Sequence, residues 1–551
     1  MSQKNSLETL KKWREGINWQ IKNCDKIEFF RPLVILIKNW EGKLPNLRDI
    51  FRKEEIDDIL ICARAAGRDI IRFVAETGYE DVPDVDKDGK PLLRRTTALH
   101  LEAGYQKYRH TTTARQLFHI YNKFDVNYVD ENGVTHFHVA CESGFDDVVK
   151  KFLELGQDPN CLTKNFSSPL YMAMIGRHEQ VVKLLLSKGA DPNFRDMWGR
   201  TPLWLGFEWG SKKVTELLLR SGACPNLAAR FRMTPLHVIS NYGNLEFMEM
   251  FFKTIDDIQK TVEVNAQDEN GDTPLRLAVE YNETYGNSDF QKMVSLLLRR
   301  GADPNLANTE GLTPLHAICQ KDNHVMLEYF LEINDEIQQT VHVNAQDKEG
   351  NTPLLLALQA DHQKMAEYLL EKGANPHLTN ARGLTALHAI CNDQKDHHAL
   401  VKTIFKICKA KHQLVQVDAR DNLDRTPLQL AVANLSLKTV DVLLKRGADL
   451  DNFALPTMNH FYDVLNPDSM SYKFKSYLAS SAMELVELLE KKGYELDRKE
   501  ALEIMALFAK YGLFQKSKDL EEQYDIFADS VDRERWENAS IALADADACN
   551  I

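Results

Sequence analysis

The chain has 551 residues, 44% of them hydrophobic and 27% charged, with a formal net charge of -13. This composition describes a folded protein rather than a disordered one, and the acidic balance argues against a nucleic-acid binder that works by neutralising phosphates. The nine cysteines are scattered and form no CxxC pair, which reads as reduced thiols in place of a disulfide framework or zinc site.

Residues 1–52 are expected to form a helical N-terminal cap or extension. The opening "MSQKNSLETLKKWREG" has no signal-peptide core, and the longest strongly apolar run, "LVILI" at 33–37, is short of the roughly 18–20 residues that a membrane span needs. The expectation is a cytoplasmic or nuclear protein without membrane insertion. Residues 53–129 read as two divergent copies of a helical unit. "ARAAGRDIIRFVAETGYEDVPD" (63–84) supplies the second half of one, and "DKDGKPLLRRTTALHLEAG" (86–104) supplies the first half of the next.

From 130 to 451 the unit becomes regular and recurs nine times. Aligned on Thr135, Ser168, Thr201, Thr234, Thr273, Thr313, Thr352, Thr385 and Thr426, the steps are 33, 33, 33, 39, 40, 39, 33 and 41 residues. Each unit carries two short apolar helices around a Gly-centred turn. The Thr stands at an N-cap position, the Pro after it at the first helical position, and Gly189, Gly301, Gly373 and Gly447 follow the second helix where a left-handed residue ends it. The long units hold inserts of 6–8 residues, such as "KTIDDIQKTVEVN" and "EINDEIQQTVHVN". "TVEVNAQDENGDTPL" (261–275) and "TVHVNAQDKEGNTPL" (340–354) agree at 11 of 15 positions, so the duplication is of a structural module. Residues 452–515 read as a helical C-terminal cap: "AMELVELLEKKGYELD", then "DRKEALEIMALFAKYG" with an Asp497/Glu500 capping box and a stop at Gly512. Residues 516–551 read as a polar tail, helical or disordered.

The motifs "GRTPLWL", "LTPLHAI", "LLLSKGADPN" and "LLLRRGADPN" resemble the ankyrin repeat, over roughly three-quarters of the chain. The resemblance implies an all-α repeat solenoid: a helix-turn-helix stack with short hairpin fingers and helical caps at both ends. It also implies a non-enzymatic scaffold that binds protein partners through a concave groove. The combination of "NYVDENGVTHFHVACESGFDDVVKKFLELGQDPN" with alternating long units is similar to the multi-repeat ankyrin proteins of insects, particularly wasps. Many of those end in a poxvirus-like, F-box-related tail, although the segment after 515 shows no matching motif. The alternatives are therefore a substrate-recognition adaptor of a ubiquitin ligase, or a regulatory subunit of an enzyme complex. The chain is expected to be monomeric by itself.

No catalytic, cofactor or metal constellation emerges. His100, His138, His237, His316 and His388 share one position of the helix-opening motif. Helices of a stack lie on the order of 8–10 Å apart, too far for ligands that must each sit about 2 Å from one zinc ion. Cys141, Cys319 and Cys391 share one inner-helix position and read as core fillers. In "DHHAL" (396–400), Ala399 stands where the cysteine of a DHHC palmitoyltransferase motif would be. What remains is departure from the repeat grammar where the resemblance places the groove. One finger offers Met197, Trp198 and Arg200, with Glu208 and Trp209 at its inner-helix end. The next offers Arg230, Phe231, Arg232 and Tyr242, and Tyr281 follows one unit later. Trp, Tyr and Arg are the residues enriched among binding hot spots. Trp204 is expected to pack between repeats, Trp209 to pack or bind, and Trp198 and Phe231 to form binding surface.

Overall fold

A computed structural model of the chain describes residues 3–19, 27–103, 111–280, 288–393, 395–411, 414–455, 472–495 and 500. It divides into two compact units, 1–269 and 270–551. Each is a stack of short helices, and the chain is an all-α repeat solenoid. Among the described residues there are no strands, only isolated bridges in the first two fingers.

In the first unit, helices Gln3–Glu15 and Ile27–Lys38 precede the repeats. Trp13 meets Phe30 and Phe51 edge-on, and Arg14 bonds Glu55 at 2.8 Å, fixing this segment to helix Lys53–Ala66. Helix Asp69–Glu76 buries Ile70, Ile71, Phe73 and Val74 on one face. Arg95 then ties together segments of 53–129 that lie far apart in the chain. Its guanidinium bonds Asp57, Asp81 at 3.0 Å and the Tyr128 hydroxyl at 3.2 Å, and Tyr128 in turn donates to Asp81 at 2.6 Å.

The regular repeats show why the sequence grammar works. The hydroxyls of Thr135, Thr313 and Thr385 accept from the N–H three residues on, and the histidine there accepts on Nδ1 from the threonine N–H. The far nitrogen of each ring then donates to the next finger: His138 to the Cys161 carbonyl at 3.1 Å, His316 to Asn351 at 3.1 Å and His388 to Arg425 at 3.0 Å. The histidines are thus neutral crosslinks between neighbouring repeats. Burial lowers all three from their ordinary value, His138 to about 4. The asparagine of several "PN" and "VN" pairs is a second crosslink. Asn160 donates to the Gly189 carbonyl and accepts from Asp191 N–H, and Asn193, Asn305 and Asn344 repeat the pattern.

The inserts lengthen the second helix of a unit. Leu245–Asp257, His324–Glu336 and His398–Ala410 have 13 residues, against nine in Glu179–Ser187, Lys212–Arg220 and Gln363–Glu371. In the first unit Lys260, just past its helix, reaches back to the Ala223 carbonyl at 3.3 Å. In the second unit Lys411 does the same for Leu370 at 2.7 Å. The second unit closes with helix Tyr472–Lys491, after which Tyr494 stacks edge-on against Phe453 and donates to the Glu500 carboxylate. Asp497, Gly512 and the segment 516–551 lie outside the described residues.

Candidate functional site

A regular finger is a tight turn built on one acceptor and one glycine. In 196–200 the Asp196 carboxylate accepts from the N–H groups of Trp198 and Arg200 at 2.9 and 2.8 Å, while Gly199 takes a φ of 73°. Glycine stands there because neighbouring fingers come close. A Cβ added to Gly133 would lie 3.0 Å from the Lys164 nitrogen. That proximity lets each finger donate to the one before it, as Lys164 N–H does to the Asn132 carbonyl and Glu269 N–H to Phe231, at 2.8 and 2.9 Å.

This rule fails around the candidate residues. Phe166 occupies the glycine position of finger 163–167 with a φ of 56°. No backbone bond joins Asn165 to Met197 or Trp198 to Arg230 among the described residues. In finger 229–233, Ala229 replaces the Asp or Asn acceptor and Arg232 replaces the glycine, so Phe231 and Arg232 both adopt left-handed backbone, at φ of 58° and 57°. Such conformations cost a non-glycine residue about 1–2 kcal/mol each. The histidine crosslink is missing as well, since Trp204 holds that position. Finger 229–233 has lost its side-chain acceptor and the backbone bond to the finger before it, while Tyr171, Arg276 and Leu355 likewise stand where other repeats carry the histidine.

These departures leave large side chains in solvent. Phe166, Met197, Trp198, Phe231 and Tyr242 are between 49% and 58% exposed. Arg230 is exposed, with its guanidinium 4.4 Å from the Phe231 ring centre. Glu208 is exposed and Trp209 half-buried. Arg200 differs from the exposed contact expected of it, since its side chain is only 24% accessible. It bonds Asp196 at 2.9 Å and the Tyr171 hydroxyl at 2.6 Å, approaches Glu208 at 3.7 Å, and lies 4.8 Å from the Trp198 ring centre. Arg200 is therefore a positioning residue that connects Trp198 to the inner-helix end. Tyr242 is the last residue of the next inner helix, Pro235–Tyr242, and burial, then the Glu208 carboxylate, raises its phenol above the ordinary value. Trp204 is half-buried rather than core; Leu203, Leu205 and Phe207 of the same helix fill the interior. Tyr281 lies outside the described residues. Phe166 was missed by the sequence reading, although a Phe in a glycine register marks it.

Two other sets of residues bear on chemistry. Cys141, Cys319 and Cys391 are fully buried, and burial raises their thiols well above the ordinary value. Iodoacetamide is expected to leave all three unmodified in the native protein and to modify them in denaturant, as read by peptide mass spectrometry. Native labelling at the denatured rate would show that these repeats open. Asp361, Asp393 and His397 bring ligand-type atoms within 4.8 Å of one another. His397 Nε2 donates to Asp393 at 2.9 Å, its Nδ1 faces the Gln363 amide at 3.0 Å, and Lys395 neutralises Asp361. The group is internally satisfied.

A family model described as ankyrin repeats (3 copies) matches residues 137–229, 284–380 and 372–454. Over 189 residues, 34% of this chain, the sequence is 31% identical to the transient receptor potential cation channel subfamily A member 1 of Homo sapiens. Over 57 residues, 10% of the chain, it is 46% identical to an ankyrin repeat-containing protein of Schizosaccharomyces pombe. The matched segments span 16% and 24% of the lengths of these relatives. Among the described residues no helix is long and apolar enough to cross a membrane.

Proposed function

We propose that this chain, which carries ankyrin repeats, is a non-enzymatic scaffold whose partner surface lies at the finger tips and inner-helix ends of residues 197–242. Protein binding is the general role of such repeats; the location is our reading. The observation that carries it is the exposure of Trp198, Phe231 and Tyr242, all near half or above, on consecutive repeats. Large aromatics left in solvent together mark interaction sites more often than accidents of packing. Met197, Glu208, Trp209 and Arg230 border them, and Arg200 holds Trp198 in place.

The test compares wild type with Trp198→Ala and Phe231→Ala in binding to a protein captured by the wild-type chain. Each substitution is expected to weaken binding by about 2 kcal/mol, or about 30-fold. Stability should change by no more than about 0.5 kcal/mol, as for surface positions away from caps and core. Unfolding of the variants with unchanged binding per folded molecule would mean that these rings are packing elements.

A further inference from the structure

We infer that fingers 163–167, 195–200 and 229–233 form one docking row for an acidic, extended segment of the partner that carries apolar side chains. This rests on the protein-binding reading above and adds the chemistry of the ligand.

The three fingers hold Lys164, Arg195, Arg200, Arg230 and Arg232 against one carboxylate, Asp196. Asp196 is buried and paired with Arg200, so four cations remain, all exposed. This occurs in a chain of net charge -13. The row is bounded on both sides by fingers that carry an exposed carboxylate, Glu131 before it and Glu269 after it. Within the row each finger also presents an exposed apolar group: Phe166, then Met197 and Trp198, then Phe231. Cation and apolar contact thus alternate at the interval of one repeat. At about 8–10 Å per repeat the outer tips are on the order of 20 Å apart, the reach of about six residues of extended chain.

The loosened finger construction fits the same occupant. Met197 and Arg230 have N–H groups without the backbone acceptor that other fingers supply, and carboxylates are the strongest acceptors a protein partner offers. A single-stranded nucleic acid would also seek cations and aromatic faces, but the carboxylate-bearing fingers on either side would repel a continuing phosphate chain. The geometry favours a short acidic stretch that ends where the positive row ends.

The test is selection of a phage-displayed random-peptide library on the full chain, followed by fluorescence anisotropy with the selected peptide. Selected sequences should be rich in Asp and Glu interleaved with Leu, Phe or Trp. The triple variant Arg195→Glu, Arg230→Glu, Arg232→Glu should lower their affinity at least tenfold, about 1.4 kcal/mol. Raised salt should weaken binding in the wild type, as for exposed charges, and an oligothymidylate probe should not compete. Neutral or basic selections, no selection at all, indifference to the triple variant, or competition by oligothymidylate would each overturn the inference. If Trp198→Ala and Phe231→Ala abolish client binding while the triple variant does not affect it, the surface stands and the acidic ligand falls. If neither set has an effect, both fall. Thermal unfolding of the triple variant should match wild type, because the three arginines are exposed.

Discussion

Replacing Arg95 by Met is expected to destabilise the first unit by about 3–5 kcal/mol, the usual cost of removing one partner from a buried ionic group. Arg95 is 16% accessible and faces Asp57 and Asp81, themselves 21% and 4% accessible. Methionine fills the volume but leaves two carboxylates and the Tyr128 hydroxyl facing one another. Asp57→Asn at the same cluster should cost under about 1 kcal/mol at pH 7, because Asp57 is the poorly tolerated charge. Burial pushes its carboxyl from 3.8 to about 6, with Arg95 pulling the other way and Asp81 adding to the rise. A folded value above the unfolded one means that the protonated form is favoured by folding. The associated stability is present in full below about pH 4 and is lost as pH rises through about 6. Asp57→Asn should therefore flatten the pH dependence of the urea midpoint between pH 4 and pH 6. Equal damage by both substitutions at pH 7 would refute this division of roles.

Gly144→Ala should cost about 3 kcal/mol, while Gly189→Ala should cost only about 1–2 kcal/mol. Both glycines hold left-handed backbone, with φ of 77° and 87°, so both alanines meet the same backbone penalty. Their surroundings differ. A Cβ on Gly144 would come 2.3 Å from His178 Nδ1, whereas one on Gly189 meets nothing within 4 Å. His178 cannot simply swing away, since Gly176 presses on its other side and its Nε2 donates to the Glu142 carbonyl at 2.9 Å. The difference between the two urea midpoints isolates the steric contribution. Equal losses would mean that the imidazole relocates freely.

The sequence by itself determined the architecture, because its signals are local and repeated. Thr at the N-cap, Pro after it and Gly past the second helix act within a few residues of where they stand, and nine copies make the register unmistakable. The exposure of three large residues was legible: Trp198, Phe231 and Tyr242 stand out from the repeat grammar, and they are exposed. Only the tertiary structure decided what those side chains touch. Arg200 and Trp198 look equivalent in the sequence, yet Arg200 spends its hydrogen bonds on Asp196 and on Tyr171 of the preceding repeat. Trp204 reads as core but is half-buried, although Tyr171 at the equivalent position of the preceding repeat is buried. Asn160 and Lys411 carry no signal in the sequence and are crosslinks to neighbouring repeats. Those partners lie about thirty to forty positions away along the chain, beyond any local pattern, and meet only when one repeat stacks on the next.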